Sequence, residues 1–299
     1  MGPFLAEHGE ELKADYAMMC DTSMWDRDTP AITIGLRGMA AGEVIIKAAS
    51  RDLHSGLYGS AAANPITLLT NILADLKDET GRVTLPGFYD GVPEVADKVK
   101  ATWDTLGFSE KKFLGDVGLS VPAGEKGRSV LEQTWARPTA EINGIIGGYT
   151  GEGFKTVIPA EARAKVSFRL VGDQDNVKVW ESFKQHVTDR LPADCTAEFI
   201  DRQGSKAVSL PLDNPGLMAA SACPIRLPAP ATPLLASGGS IPIAGDMKRV
   251  LGMDAVLVGF ALEDDMIHSP NEKYELKSFH KGIRSWVRIL AGVGAQKAA

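Results

Sequence analysis

The 299-residue sequence has few cysteines and no long apolar run. Its three cysteines, Cys20, Cys195 and Cys223, are far apart and form no CxxC pair. This spacing argues against a disulfide framework and against a cysteine-rich structural zinc site. No apolar run approaches the roughly 18 residues that cross a membrane, and the first residues lack the basic and apolar regions of a secretory signal. We therefore expect a protein of the reducing cytoplasm with no membrane partner.

An excess of positive charge is also missing. The sequence has 32 lysines and arginines against 38 acidic residues, a formal net charge of −6, and the two signs are interspersed. Without a basic stripe to neutralise phosphates, nucleic acid is not an expected partner. Apolar residues make up 44% and charged residues 23%, as in an ordinary globular protein, and the length suits one large or two medium domains.

The order of predicted strands and helices indicates an α/β protein interrupted by an insert. Apolar runs predict buried strands near both ends of the chain, and alternation predicts half-buried strands between them. Strands are predicted at residues 15–20, 33–36, 43–50, 162–171 and 254–262, and helices at 64–79, 92–113, 175–191 and 275–290. We interpret residues 1–34 and 216–299 as two segments of one α/β domain, and residues 35–215 as an inserted α+β domain.

Two candidate metal ligands follow predicted strands. Asp21 stands directly after the first strand, and His268 lies in the loop IHSPNEKYE that follows the last one. The carboxyl ends of strands in an α/β sheet are common ligand sites, and an oxygen and a nitrogen donor would suit zinc. An aspartate that caps a turn and a histidine on a surface loop have the same appearance, so both interpretations stay open.

Further candidates lie in the insert and in a short glycine turn. His54, in DLHSGLYGS, could donate a hydrogen bond to a developing oxyanion. Arg169 could bind a substrate carboxylate in a bidentate manner, although an arginine on a solvated strand face fits its alternating strand equally well. The turn SGGSIP, at residues 237–242, could hold an anion through its backbone amides and the Ser240 hydroxyl.

Six ordered segments together resemble a known family. CDTSMWDRDTPAITIGLRG, DLHSGLYG, GGYTGEGFKTVIP, SFRLV followed by DQD, SGGSIP and HSPNEKYELKSF are similar to the dinuclear zinc metallopeptidase family of aminoacylases, carnosinases and bacterial dipeptidases. The resemblance is to its carnosinase and cytosolic non-specific dipeptidase branch, and it runs from about residue 3 to residue 290. The resemblance implies a partial zinc-peptidase catalytic domain interrupted by an α+β lid, or dimerisation, domain with an antiparallel sheet and helices on one face.

The resemblance also implies roles for individual residues. Asp21 and His268 would be metal ligands of a site that holds two Zn²⁺ ions when complete, with Mn²⁺ as an alternative. His54 would stabilise the tetrahedral intermediate in the partner subunit of a homodimer formed through the lid. Thr156 and Arg169 would bind the substrate, a dipeptide or similar small amide with a free carboxylate, and Gly239 and Ser240 would contact its carboxylate end.

The sequence departs from the family pattern before its first motif. In the family, a His-x-Asp ligand pair, a bridging aspartate and two adjacent glutamates precede the segment that starts at Cys20, and this chain contains none of them. We therefore expect an N-terminally truncated member that does not catalyse the reaction by itself. The alternative is a non-catalytic fragment that dimerises or binds a carboxylate. Ala236 and the proline-rich residues 222–233 also differ from the pattern.

Overall fold

The computed structural model describes residues 2–222, 232–237 and 241–297. Its first half contains the helices α1 (Gly2–Glu7), α2 (Gly9–Leu12), α3 (Ser55–Tyr58), α4 (Pro65–Ala74), α5 (Asp97–Asp104) and α6 (Glu110–Gly115), and the strands β1 (Tyr16–Met19), β2 (Ile32–Leu36), β3 (Gly38–Lys47), β4 (Leu53–His54) and β5 (Thr139–Gly147). The second half contains β6 (Val157–Ile158), β7 (Glu161–Leu170), α7 (Asn176–Thr188), β8 (Thr196–Ser205), β9 (Val208–Ser209), α8 (Pro215–Ala222), β10 (Leu234–Ser237), α9 (Pro242–Leu251), β11 (Asp254–Leu257) and α10 (Leu276–Lys297).

One sheet is built from strands near both ends of the chain. Its order is β1-β11-β2-β10, with β9 also paired to β2. β1 runs parallel to β11 and β10 parallel to β2, whereas β11 and β2 are antiparallel. The apolar core of this sheet includes Ile32, Val256 and Ile289, each fully buried. Residues that are distant in the sequence therefore meet in one sheet, which we call the terminal sheet.

The middle of the chain forms a second sheet, the lid sheet, of order β5-β7-β3-β8 with every pairing antiparallel. Alternate residues of β7, among them Val166 and Phe168, are buried against α4 and α7. These helices contribute side chains such as Leu69 and Phe183 to the same core, so both lie on one face of the sheet. The α/β fold class with an antiparallel lid sheet and helices on one face is confirmed.

Some predicted elements differ in extent. The predicted helix at 92–113 is two helices, α5 and α6, because Gly107 adopts a left-handed φ of 62° and Ser109 caps α6 by accepting a hydrogen bond from the Lys112 amide at 3.2 Å. β3 begins at Gly38 rather than at Glu43. The proline-rich segment lies mostly outside the described residues. The division at residues 34/35 and 215/216 stays a prediction.

Helix α10 carries a row of exposed apolar side chains. They recur at helical spacing along one face of the helix. They are Leu276, Phe279, Ile283, Val287 and Leu290, with exposed fractions between 49% and 72%. No helix among the described residues has both the length and the apolar character that crossing a membrane requires.

Candidate functional site

The first group of candidate residues lies at one edge of the terminal sheet. β1 and β11 are parallel neighbours, with Met19 beside Leu257. Parallel strands place their carboxyl ends at the same edge. Asp21 follows β1 by two residues, and His268 belongs to the loop that follows β11. The structure therefore brings the two predicted metal ligands to the same edge, and both side chains are exposed there.

The loops that follow β1 and β11 are in close contact. The Met24 amide donates a hydrogen bond to the Ala261 carbonyl at 2.9 Å. At Gly259 a methyl group would lie 1.7 Å from the carbonyl oxygen of Thr22, so only glycine fits. This close approach fixes the backbone next to Asp21, and it is a constraint that the sequence alone does not reveal.

Ion pairs connect the same two loops. Arg27, in the loop after β1, pairs with Asp264 at 2.5 Å and with Glu275. Lys273 approaches Asp264 at 3.3 Å. Burial tends to raise the pKa of Asp264, but Lys273 and Arg27 together lower it below its ordinary value. These contacts stabilise the charged carboxylate and hold the two loops against each other.

Asp265 anchors the loop that carries His268. Its buried carboxylate accepts hydrogen bonds from the Leu262 amide and from Lys273 Nζ, each at 2.8 Å. The Asp265 hydrogen bond is the main cause that raises the pKa of Lys273. His268 itself adopts a left-handed φ of 64°, a conformation that non-glycine residues rarely take. Met266 and Asn271 do the same, and such backbone strain is concentrated at functional loops.

The donor atoms at this edge fit a metal only in part. A carboxylate oxygen and an imidazole nitrogen are both common zinc ligands, so Asp21 and His268 are chemically suitable. Within residues 2–222, 232–237 and 241–297, however, no group of three or more His, Cys, Asp or Glu side chains could hold a metal ion. A complete site needs ligands beyond this pair.

The second group lies on the lid, around His54. β4 pairs with β6, and His54 stands opposite Val157. His54 Nδ1 accepts a hydrogen bond from the Gly56 amide at 2.9 Å. A ring nitrogen that accepts a hydrogen bond carries no proton, so in the neutral ring the proton is on Nε2. The exposed imidazole therefore presents an N–H donor to its surroundings.

Thr156 lies beside His54. Its carbonyl accepts a hydrogen bond from the Ser55 amide at 2.9 Å. Both residues line a cavity of about 430 Å³, together with Phe154 and Lys155. The Phe154 side chain is 88% exposed. The structure thus brings together the predicted oxyanion donor and one predicted substrate-binding residue.

Arg169 lies far from His54 and Thr156 within the same chain. β7 begins at Glu161, close to β6, and Arg169 is near its opposite end, eight residues later. At the usual rise per residue of a strand, Glu161 and Arg169 are about 26 Å apart. The predicted lid residues therefore form two groups at opposite ends of β7.

Arg37 is a residue that the sequence analysis did not select. It lies between β2 and β3, where the chain passes from the terminal sheet to the lid sheet. Burial and, after it, the positive charge of Arg169 lower the pKa of Arg37 to about 10. The Arg37 amide donates a hydrogen bond to the Ser237 carbonyl at 3.3 Å. The predicted contacts Gly239 and Ser240 follow Ser237 and lie outside the described residues.

Comparison with known proteins identifies the family of this chain. The profile of the peptidase dimerisation domain of the M20 family matches residues 34–195, which is more than half of the chain and includes the lid-sheet strands β3, β5 and β7. The chain belongs to the M20 family of peptidases. This membership confirms the family resemblance seen in the sequence.

Relatives and solved structures of this family cover almost the entire chain. The Cys-Gly metallodipeptidase DUG1 of Candida albicans is 31% identical over 278 residues, which are 91% of this chain and 57% of that protein. The human Beta-Ala-His dipeptidase is 26% identical over 90% of this chain and 54% of its own length. The M20 family metallo-carboxypeptidase Sso-CP2 of Sulfolobus solfataricus superposes with a TM-score of 0.84 at 26% identity, covering 98% of this chain and 66% of that one. The chain spans a little over half the length of the metallodipeptidases it matches.

Proposed function

We propose that the protein carrying this chain hydrolyses the peptide bond of dipeptides, or of similar small amides, that have a free carboxylate. The observation that carries the proposal is the state of His54, whose Nδ1 is occupied by the Gly56 amide so that Nε2–H is available as a donor. Cys-Gly and Beta-Ala-His, which appear in the names of two relatives, are the first substrates to test. A cytoplasmic location belongs to the proposal.

The candidate residues have distinct roles in this reaction. Amide hydrolysis passes through a tetrahedral intermediate whose oxygen becomes negatively charged. His54 Nε2–H would donate a hydrogen bond to that oxygen, and the Thr156 hydroxyl would contact the substrate beside it. Arg169 would bind the free carboxylate, with Gly239 and Ser240 at the same end. Loss of one oxyanion donor typically lowers kcat about 100- to 1,000-fold, which is the effect we expect for His54→Ala.

The proposed metal is zinc, with two ions in a complete site and Mn²⁺ as an alternative. Asp21 and His268 would be two of its ligands. When bound, such a metal acts as a Lewis acid and generates a nucleophile from water at neutral pH. Removal of the metal by a chelator should abolish hydrolysis, and Asp21→Ala and His268→Ala should lower the metal content per chain.

A homodimer formed through the lid would unite the two groups of residues. The roughly 26 Å along β7 separates the two groups within one chain, because His54 and Thr156 lie at the β4–β6 pair next to the start of β7 and Arg169 lies near the other end of that strand. A second copy could bring its His54 and Thr156 to the Arg169 end of the first. β5 is an edge strand that pairs only with β7 among the described strands, and Ile142, Ile145 and Ile146 on it are 45–61% exposed. An exposed apolar edge strand is a natural surface for pairing with another copy.

A mixing experiment tests this composite site. His54→Ala and Arg169→Ala proteins are each expected to have very low dipeptidase activity. After unfolding and refolding together in equal amounts, half of the dimers would be mixed, and each mixed dimer would contain one intact site. We expect about one quarter of the wild-type activity to return.

Controls make the mixing result specific. Arg163→Ala changes another arginine of β7, one that pairs with Glu161, and should leave activity unchanged. A mixture of His54→Ala with a second variant that also lacks His54 should regain no dipeptidase activity. If no activity returned in the first mixture, the site would lie within one chain. If dipeptides were hydrolysed equally well in the presence of a chelator, the metal-dependent reaction would be rejected.

A second candidate function is binding of a carboxylate without turnover. It is favoured by the lack of a third metal ligand near Asp21 and His268 among the described residues. Elemental analysis of the purified 299-residue chain separates the two candidates. About two tightly held metal ions per chain would support hydrolysis, whereas a metal content near zero with retained dipeptide binding would support the second candidate.

A further inference from the structure

Arg37 is a partly buried cation for which the described part of the chain supplies no counterion. Its Nε atom is inaccessible to solvent and has no hydrogen-bond acceptor among the described residues. No ion pair joins Arg37 or Arg169 to a carboxylate within these residues. Buried polar groups in folded proteins are nearly always paired, and a buried charge without a partner is costly.

The surroundings of Arg37 increase the free-energy cost of burying its charge. Arg169 is close enough for its charge to act on Arg37, and two like charges at a half-buried position repel each other. Glu141 is the acidic residue whose field reaches Arg37, but its carboxylate pairs with Lys77, with an N–O distance of 3.4 Å. The two arginines therefore share a location where positive charge exceeds negative charge.

The strand register places this pair at a defined point. Met39, two residues after Arg37, stands directly opposite Arg169, and Arg169 stands opposite Thr139 on its other side. The backbone amide of Arg37 is bonded to Ser237, at the end of β10. The pair therefore lies where β2, β10 and the lid sheet meet, beside the start of the glycine turn.

We propose that Arg37 joins Arg169 in binding the terminal carboxylate of the substrate, so that the two arginines form one anion site. A guanidinium offers several hydrogen-bond donors in a planar fork. Two guanidinium groups can therefore bind one carboxylate through charge-assisted hydrogen bonds. Arg37 thereby acts as a specificity residue that discriminates a free acid from the corresponding amide. This inference rests on the proposed substrate class, and it adds to that class a residue that holds the carboxylate from the side of the terminal sheet.

Binding to the chelator-treated protein tests the site without any need for turnover. Isothermal titration would compare glycylglycine with its C-terminal amide for the wild type, Arg37→Met, Arg169→Met and Arg163→Met. Methionine keeps much of the stem of arginine and removes its charge. We expect the wild type to prefer the free acid and each of the first two variants to lose about 10- to 100-fold of that preference. Arg163→Met, a change on the same strand, should keep the wild-type preference.

Thermal melting without ligand provides a second, independent readout. Arg37→Met removes a partly buried charge that has no ion-pair partner among the described residues, so the melting temperature should rise by about 1–3 °C. An arginine that is bonded within its own chain, for example by residues 238–240, would instead destabilise the protein when removed. A lower melting temperature for Arg37→Met, or a free-acid preference that this variant retains, would overturn the inference. The protein could prefer the free acid in an Arg37-dependent way and yet hydrolyse no dipeptide. That result would reject the proposed reaction and would still support the anion site.

Discussion

Gly259→Ala tests how the two loops at the edge of the terminal sheet are held together. The added methyl group would lie 1.7 Å from the Thr22 carbonyl oxygen, and 2.2 Å and 2.4 Å from two other backbone atoms of Thr22. Ordinary contacts between such atoms are about 3.5 Å, so one of the two backbones must move by more than 1 Å. Backbone atoms cannot rotate away as a flexible side chain can. Asp21 is the residue next to Thr22, so this movement would also displace a candidate ligand.

The expected cost follows from the size of this overlap. Overpacking of a tight site usually costs about 1–3 kcal/mol, and overlap with three backbone atoms of Thr22 places Gly259→Ala at or above the upper end. For a chain of this length, about 3 kcal/mol corresponds to a fall of about 5 °C in the melting temperature. Thermal melts followed by circular dichroism measure this effect directly. Metal content, measured on the same samples, reports whether the Asp21 end of the site has moved.

Gly294→Ala is the matched control for this substitution. Gly294 lies in α10, with no atom within 4 Å of an added methyl group. Alanine is the better helix former, so this change should leave the melting temperature unchanged or raise it. A wild-type melting temperature and metal content for Gly259→Ala would refute the argument that the close approach at Thr22 positions Asp21.

Two further predictions concern buried charges in the middle of the chain. Arg137 and Glu125 are 5% and 6% exposed with an N–O distance of 3.0 Å, and removal of one partner of a buried pair costs about 3–5 kcal/mol. Arg137→Met should therefore lower the melting temperature by about 5–8 °C, and an unchanged melting temperature would contradict this. Burial lowers the pKa of His186 below its ordinary 6.5, so the folded state binds fewer protons than the unfolded state. The stability that this difference provides is present above pH 6.5 and is lost as the pH falls through the lower, folded pKa. The urea midpoint should therefore decrease between pH 7 and pH 5, and His186→Gln should make that decrease smaller.

The strongly periodic elements were predictable from the sequence. Strand β7 and helix α7 lie within two or three residues of their predicted bounds because alternation and amphipathicity coincide with burial in the lid core. The start of β3 was not predictable, since its first residues are small and read as a break. Gly42 explains the difference: a methyl group there would lie 2.4 Å from the Trp180 ring, so the strand needs glycine where α7 packs closest.

The candidate site was predictable as a set of residue types but not as a geometry. The sequence identified His54, yet only the structure assigns its Nδ1 to the Gly56 amide and leaves Nε2 as the donor. Arg37 was missed because a charged residue between a strand and a glycine normally indicates a solvated turn. Its position between two strands of different sheets was a usable signal. A charged side chain at such a crossing can be buried between the sheets without belonging to the apolar core of either one.

The position of this crossing also determines how the lid can move relative to the terminal sheet. The chain passes between the sheets at Arg37 and returns between β8 and β9, and the two passages are packed together, since a methyl group at Gly38 would lie 2.5 Å from the Ala207 amide nitrogen. Any rotation of the lid must bend the chain at these adjacent passages, so residues close to them move least. Arg37 and Arg169 lie beside that point, whereas His54 and Thr156 lie at the far end of β7 and would move most. In the proposed dimer, such a rotation would move His54 of one copy relative to the other copy and would leave Arg37 and Arg169 close to each other.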